Sequence, residues 1–107
     1  MTEATFRRVA SQSQVPEGKM IEVQVEDLSI LICHSKDGWH ALDNICTHAF
    51  AKMHEGRLRG YRLICPLHGA SFDCRSGAVL GAPATQALKT YPIRCVGDDV
   101  EIAVPAG

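Results

Sequence analysis

Short stretches of alternating apolar and polar residues, each ended by a turn sequence, most constrain the fold of this 107-residue chain. Ile21, Val23 and Val25 alternate with polar residues, as in a strand that buries one face. Further strand-like segments cover residues 29–33, 39–42, 91–96 and 100–104. We therefore expect an all-β fold of short antiparallel strands.

Turn residues indicate how these strands are joined. Residues 26–27 and 36–38 predict tight turns, and 97–99 predicts a hairpin between the last two strands. Pro92 cannot donate a backbone hydrogen bond, so its strand is predicted to be bulged or to lie at a sheet edge. Only residues 84–88 suggest a helical turn.

Length and charge limit the possible functions. The chain is long enough for one domain, 1–107, and its net charge of −1 argues against nucleic acid as a partner. The longest apolar run, 28–33, is far shorter than the roughly 20 residues that cross a bilayer. The first residues do not resemble a signal peptide, because no apolar stretch follows Arg7 and Arg8. We expect a cytoplasmic protein that does not bind membranes.

Five cysteines in an intracellular protein favour metal or redox chemistry over a disulfide framework. Cys33 and Cys95 lie in apolar strands and are predicted to be small buried side chains. Cys74 follows Asp73 at a turn, where an inert thiol is favoured over a reactive one. Only Cys46 and Cys65 have a histidine nearby in chelating register.

Two Cys/His pairs interrupt the strand pattern within residues 43–83. Cys46-x-His48 is followed, after sixteen intervening residues, by Cys65-x-x-His68. A single structural zinc is one candidate, but zinc sites usually pair two cysteines in one loop and two histidines in another. A [2Fe–2S] cluster with two thiolates on one iron and two imidazoles on the other suits these mixed loops better.

The residues around both pairs resemble the Rieske family over almost the whole chain. The segments that carry the resemblance are Cys46-Thr47-His48, Cys65-Pro66-Leu67-His68-Gly69-Ala70-Ser71-Phe72-Asp73, Ser76-Gly77 and Gly81-Ala82-Pro83-Ala84. The resemblance implies stacked antiparallel sheets with an inserted cluster-binding subdomain at about 43–83. It implies that Cys46 and Cys65 hold the buried iron, and that His48 and His68 hold the outer one.

The resemblance also implies a function. The chain is most similar to the free-standing ferredoxins of bacterial aromatic-ring-hydroxylating oxygenase systems. Such proteins have no catalytic centre and pass single electrons from an NAD(P)H-dependent flavoprotein reductase to a terminal oxygenase. The alternatives are a small accessory subunit of a larger oxidoreductase and a structural zinc-binding interaction module. In the ferredoxin interpretation, Pro66, Gly69 and Pro83 shape the loops around the cluster.

The cluster is expected to have a low reduction potential within the Rieske range of roughly −150 to +300 mV. High-potential relatives have a disulfide at the positions of Ala51 and Leu67, and hydroxyl groups at those of Ala70 and Phe72. Fewer donors to the cluster sulfurs leave the reduced, more negative cluster less stabilised.

The remaining histidines, the tryptophan and the basic residues are predicted to have structural or solvent-exposed roles. His34 and His40 are predicted to be structural histidines, and His54 a loop residue. Trp39 is predicted to anchor the core. The basic segment 52–62 is interpreted as a solvated face, with a docking surface as the alternative.

Overall fold

The computed structural model describes residues 5–47, 51–67, 69–82 and 84–104, and these ranges form eleven strands without an α-helix. The strands are β1 (Thr5–Ser11), β2 (Met20–Val25), β3 (Leu28–Ser35), β4 (Gly38–Asp43), β5 (Arg57–Arg59), β6 (Arg62–Ile64), β7 (Ser71–Asp73), β8 (Val79–Gly81), β9 (Thr90–Tyr91), β10 (Ile93–Val96) and β11 (Asp99–Val104). Two short 3₁₀ turns, Gln12–Gln14 and Met53–Glu55, were not predicted. The all-β prediction is confirmed, and none of the described segments forms a helix that could cross a membrane.

Three antiparallel sheets make up the fold. The first has the strand order β1-β11-β10, the second β2-β3-β4-β9 and the third β5-β6-β7-β8. The chain leaves the second sheet after Asp43 and returns to it at Thr90, where β9 pairs with β4. The third sheet is therefore part of an insertion between two neighbouring strands. This insertion contains both Cys/His pairs.

The predicted hairpins are confirmed. β2 and β3 meet at Glu26-Asp27, where Glu26 has a φ of 55°. β3 and β4 are joined at residues 36–37, and Gly38 opens β4 with a φ of 120°, a conformation that suits glycine. β10 and β11 turn at Gly97-Asp98.

The strand predicted over 91–96 is divided at Pro92. Tyr91 belongs to the second sheet and Ile93 to the first, so the proline lies where the chain changes sheets. Its missing N–H costs no ladder hydrogen bond there, and its carbonyl accepts one from Ala103 at 3.0 Å. β9 and β10 are each the last strand of their sheet, which confirms the predicted edge position.

The helical turn predicted over 84–88 is wrong. Ala84 and Leu88 are spaced like neighbours on a helix, but both are buried in a non-helical segment. Leu88 donates its N–H to Gly77 at 2.9 Å, and Thr47 donates its hydroxyl to the carbonyl of Gln86 at 2.8 Å. Contacts with residues distant in sequence therefore decide this conformation.

Two cores support the sheets. The first core lies under the third sheet and the cysteine loops, and includes Leu31, Leu42, Met53, Leu63 and Phe72. The second core lies between the first and second sheets. It is formed by Val15, Val25, Ile30, Ile32, Tyr91, Val100, Ile102 and their neighbours.

Two burial predictions need correction. Cys95 is exposed on β10, which is an edge strand of the first sheet. Trp39 is only half-buried at the margin of the second core, and its indole stacks on His34 with ring centroids 4.1 Å apart. Cys33 is fully buried as predicted.

Candidate metal centre

The first cysteine loop follows β4. The N–H of Cys46 donates to the carbonyl of Ala51 at 2.9 Å, and a bridge between Ile45 and Lys52 closes the loop behind it. Cys46 is only 4% exposed. His48 falls outside the described residues, between the two ends of this closed loop.

The second cysteine loop follows β6 and repeats this geometry. The N–H of Cys65 donates to the carbonyl of Ala70 at 2.8 Å, so both cysteines bond to the fifth residue further along the chain. Gly69 has a φ of 72°, which explains the glycine at the return of the loop. A side chain there would meet no atom within 4 Å, so conformation rather than space requires it. His68 also falls outside the described residues.

The thiols of Cys46 and Cys65 lie beside each other. Burial raises the pKa of Cys65 to about 11, the backbone of Leu67 lowers it, and the adjacent Cys46 raises it again. A buried thiol beside a second thiol resists ionisation unless a cation compensates its charge. A metal does this and deprotonates its thiol ligands. The donor pair therefore fits a metal centre.

The structure thus brings together two of the four predicted ligands. Within the described ranges no third His, Cys, Asp or Glu completes a metal-binding group with them. Cys46 and Cys65 belong to the same core, and each closes its loop with a backbone hydrogen bond. The assignment of His48 and His68 stays a prediction.

The positions used to predict the potential surround this pair. Ala70 and Phe72 are fully buried in the first core, and neither side chain carries a hydroxyl group that could donate to the site. Ala51 is buried, whereas Leu67 is 47% exposed on the second cysteine loop. Because neither Ala51 nor Leu67 is a cysteine, no disulfide joins the two loops at these positions. Each loop is closed by the backbone hydrogen bond of Cys46 or Cys65.

A buried polar network attaches the first cysteine loop to the second sheet. The Asn44 side chain is inaccessible to solvent and lies 3.0 Å from Nδ1 of His54, whose backbone N–H donates to Asn44 Oδ1 at 2.9 Å. Asn44 also donates to Ser29 Oγ at 3.1 Å, and Ser29 donates to Glu22 at 2.5 Å. Sequence reasoning placed His54 in a loop and missed its partner. The sequence feature that could have indicated this network is the asparagine just before the first cysteine loop.

A second cysteine pair lies beneath the third sheet. Contact with the Cys74 thiol, together with burial, raises the pKa of Cys33 well above its ordinary value. Both residues are inaccessible to solvent, and neither is in a disulfide. Burial lowers the pKa of the nearby His40, which hydrogen bonds to Ser35 at 3.0 Å. His34 bonds to the carbonyl of Val15 at 2.9 Å, so both histidines have structural partners.

With this geometry established, comparison with known proteins identifies the family. A family model described as the Rieske [2Fe–2S] domain matches residues 5–92. The chain belongs to the Rieske [2Fe–2S] family. Its cofactor is therefore a [2Fe–2S] cluster, which confirms the prediction made from the mixed Cys/His loops.

Individual Rieske proteins are similar over nearly the whole chain. The ferredoxin component of the naphthalene 1,2-dioxygenase system from Pseudomonas aeruginosa is 40% identical over 102 residues, covering 95% of this chain and 97% of that protein. The solved Sphingomonas yanoikuyae B1 ferredoxin has a TM-score of 0.89 at 29% identity, covering 94% of this chain and 100% of the other. A chain in the solved complex of reduced oxygenase and oxidized ferredoxin of carbazole 1,9a-dioxygenase has a TM-score of 0.86 at 26% identity, with 92% of each chain covered.

Proposed function

We propose that this Rieske protein is a one-electron carrier that reduces a terminal oxygenase and is itself reduced by an NAD(P)H-dependent flavoprotein. The observation that carries the proposal is the contact of two buried cysteine thiols, each held in a closed loop. Similarity to a dioxygenase ferredoxin over 95% of the chain supports the carrier role. Ferredoxins transfer electrons and do not themselves transform the organic substrate.

In this proposal, Cys46 and Cys65 hold one iron, and His48 and His68 hold the other. The bound cluster supplies reversible uptake of a single electron. The chain keeps the thiolate side dry, because Met53, Ala70 and Phe72 around it are inaccessible to solvent. The histidine side would then be the edge that a partner approaches.

The oxygenase partner has support from a solved complex in which a similar ferredoxin accompanies its oxygenase. The flavoprotein reductase is proposed because a carrier that gives up one electron needs a donor of single electrons. We also infer a cytoplasmic location, since no disulfide joins any of the five cysteines in the part of the chain that the structure describes, as expected in a reducing compartment.

Metal analysis and spectroscopy test the cofactor. Natively purified protein should contain two irons and two acid-labile sulfides per chain, and dithionite should produce a Rieske-type EPR signal. A single zinc without acid-labile sulfide would contradict the proposal and support a structural zinc module.

Electron transfer tests the role. The dithionite-reduced protein, mixed with an oxidised terminal oxygenase of an aromatic-ring-hydroxylating system, should lose one electron to it within a single turnover. Copurification in a permanent complex with a larger oxidoreductase would instead favour an accessory subunit.

A further inference from the structure

One face of the β5–β6 hairpin is strongly basic. Leu58 and Leu63 point into the first core, whereas Arg57, Arg59 and Arg62 occupy the opposite, exposed face. Arg59 lies directly across the hairpin from Arg62. Like charges in directly opposed positions destabilise a strand pair, so hairpin stability does not explain this arrangement.

The arginines of this hairpin form no ion pair with any acidic residue that the structure describes. In the part of the chain that the structure describes, the ion pairs of basic residues involve Arg7, Arg8, Lys52, His54, Arg75 and Arg94. Arg57, Arg59 and the nearby Lys19 belong to none of them. Arg62 donates to the hydroxyl of Ser71 at 2.7 Å and lies across the sheet from Asp73, whose carboxylate forms its ion pair with Arg75. We call Lys19, Arg57, Arg59 and Arg62 the basic face.

The basic face continues to the cysteine loops. One surface recess is lined by Lys19, His54, Arg57 and Arg59. A second recess is lined by Glu55 and Arg57 together with Cys65 and Pro66 of the second cysteine loop. Arg57 lines both recesses, so the basic face reaches the residue proposed to hold the cluster, although Glu55 also lines the second recess.

An apolar contact point adjoins this charge. Leu67 is 47% exposed and follows Pro66, which is also exposed. Protein interfaces commonly surround an apolar centre with a polar or charged rim, and complementary charge accelerates their association. The second cysteine loop and the basic face together have this composition.

We propose that the basic face docks an acidic surface of the terminal oxygenase and so brings the second cysteine loop to the electron acceptor. This inference rests on the proposed carrier function. One electron leaves the reduced protein and enters the oxygenase, with no bond made and no proton moved. The oxygenase is the chosen partner because a similar ferredoxin has been solved in complex with one.

The test compares variants that remove positive charge from one of two surfaces with a variant that retains it. Arg57→Gln/Arg59→Gln removes two positive charges from the basic face. Arg7→Gln/Arg8→Gln removes the same charge from β1, where both arginines form exposed ion pairs that contribute little stability. Arg57→Lys/Arg59→Lys retains the charge of the basic face. Each cluster-loaded variant is checked by its visible spectrum and thermal unfolding.

Two readouts are measured with the oxygenase over a series of ionic strengths. These are the second-order rate of electron transfer in stopped flow and the Kd between the oxidised proteins. At low salt, Arg57→Gln/Arg59→Gln should lower the electron-transfer rate and raise the Kd by about tenfold. Both values should become equal to those of the wild type near roughly 0.5 M salt, because salt screens the charges. The lysine variant and the β1 control should behave as wild type.

Three results would overturn the docking inference. These are an equal loss in the β1 control, a wild-type reaction indifferent to salt, or an effect confined to reduction by the flavoprotein. If no electron reaches the oxygenase at any salt concentration, the proposed function fails instead. In that case the Kd is the only test of the docking inference. A tenfold increase in the Kd of Arg57→Gln/Arg59→Gln supports the inference, and an unchanged Kd overturns it.

Discussion

The buried side chain of Asn44 and the imidazole of His54 meet at 3.0 Å between the second sheet and the first cysteine loop. The His54 N–H also bonds to the same asparagine at 2.9 Å, so one side chain binds both the ring and the backbone. The amide thereby connects the residues before and after Cys46. Its removal should loosen the loop that holds this cysteine.

Asn44→Ala is therefore expected to reduce the free energy of unfolding by about 1–3 kcal/mol, because it leaves buried polar partners unsatisfied. The variant should also lose its cluster absorbance faster on heating. Urea unfolding and the visible spectrum measure the two effects. Gln24→Ala, an exposed site on β2, is the control. Equal stability of Asn44→Ala and wild type would show that the network does not hold the loop.

The cluster potential should respond to hydroxyl groups placed at Ala70 and Phe72. Ala70→Ser with Phe72→Tyr is expected to raise the midpoint potential by on the order of tens of millivolts, because donors to the cluster sulfurs stabilise the reduced state. A redox titration followed by circular dichroism measures the shift.

Ser71→Ala is a matched control for the potential. Its hydroxyl accepts a hydrogen bond from Arg62 at 2.7 Å on the outer face of β7, away from the first core. Removing it should leave the potential unchanged. An unaltered potential in the Ala70/Phe72 double variant, with the cluster intact, would exclude hydroxyl donors as the reason for the expected low value.

The two proposed histidine ligands can be tested separately. His48→Ala and His68→Ala should each abolish the native Rieske spectrum, because one iron loses a nitrogen donor. EPR of the reduced protein and iron content measure the loss. His40→Ala serves as the control, since His40 bonds to Ser35 in the second sheet. A native spectrum in either ligand variant would remove that histidine from the site.

The cysteines outside the site should differ in reactivity. Cys95 is exposed, whereas Cys33 and Cys74 are inaccessible and the pKa of Cys33 is raised by its contact with Cys74 and by burial. Iodoacetamide should therefore label Cys95 first in the native cluster-loaded protein, and all five cysteines after denaturation. Mass spectrometry of the peptides identifies the sites. Native labelling of Cys74 as fast as Cys95 would show that the buried pair opens readily.

Sequence patterns of short range predicted much of this protein. The alternation in β2, the turn at Glu26-Asp27 and the hairpin at Gly97-Asp98 depend on neighbouring residues, and the structure confirms them. The mixed Cys/His spacing likewise identified the cofactor, because ligand chemistry depends on residue type.

Tertiary structure decided the relations between distant segments. It brought the thiols of Cys33 and Cys74 into contact, exposed Cys95 on an edge strand and divided the strand at Pro92 between two sheets. It also placed Asn44 against His54. These outcomes depend on which sheets pack together, and no local pattern of polarity contains that information. The sequence by itself determined the cofactor class and the strands β2, β3, β4 and β11, whereas packing determined which segments meet.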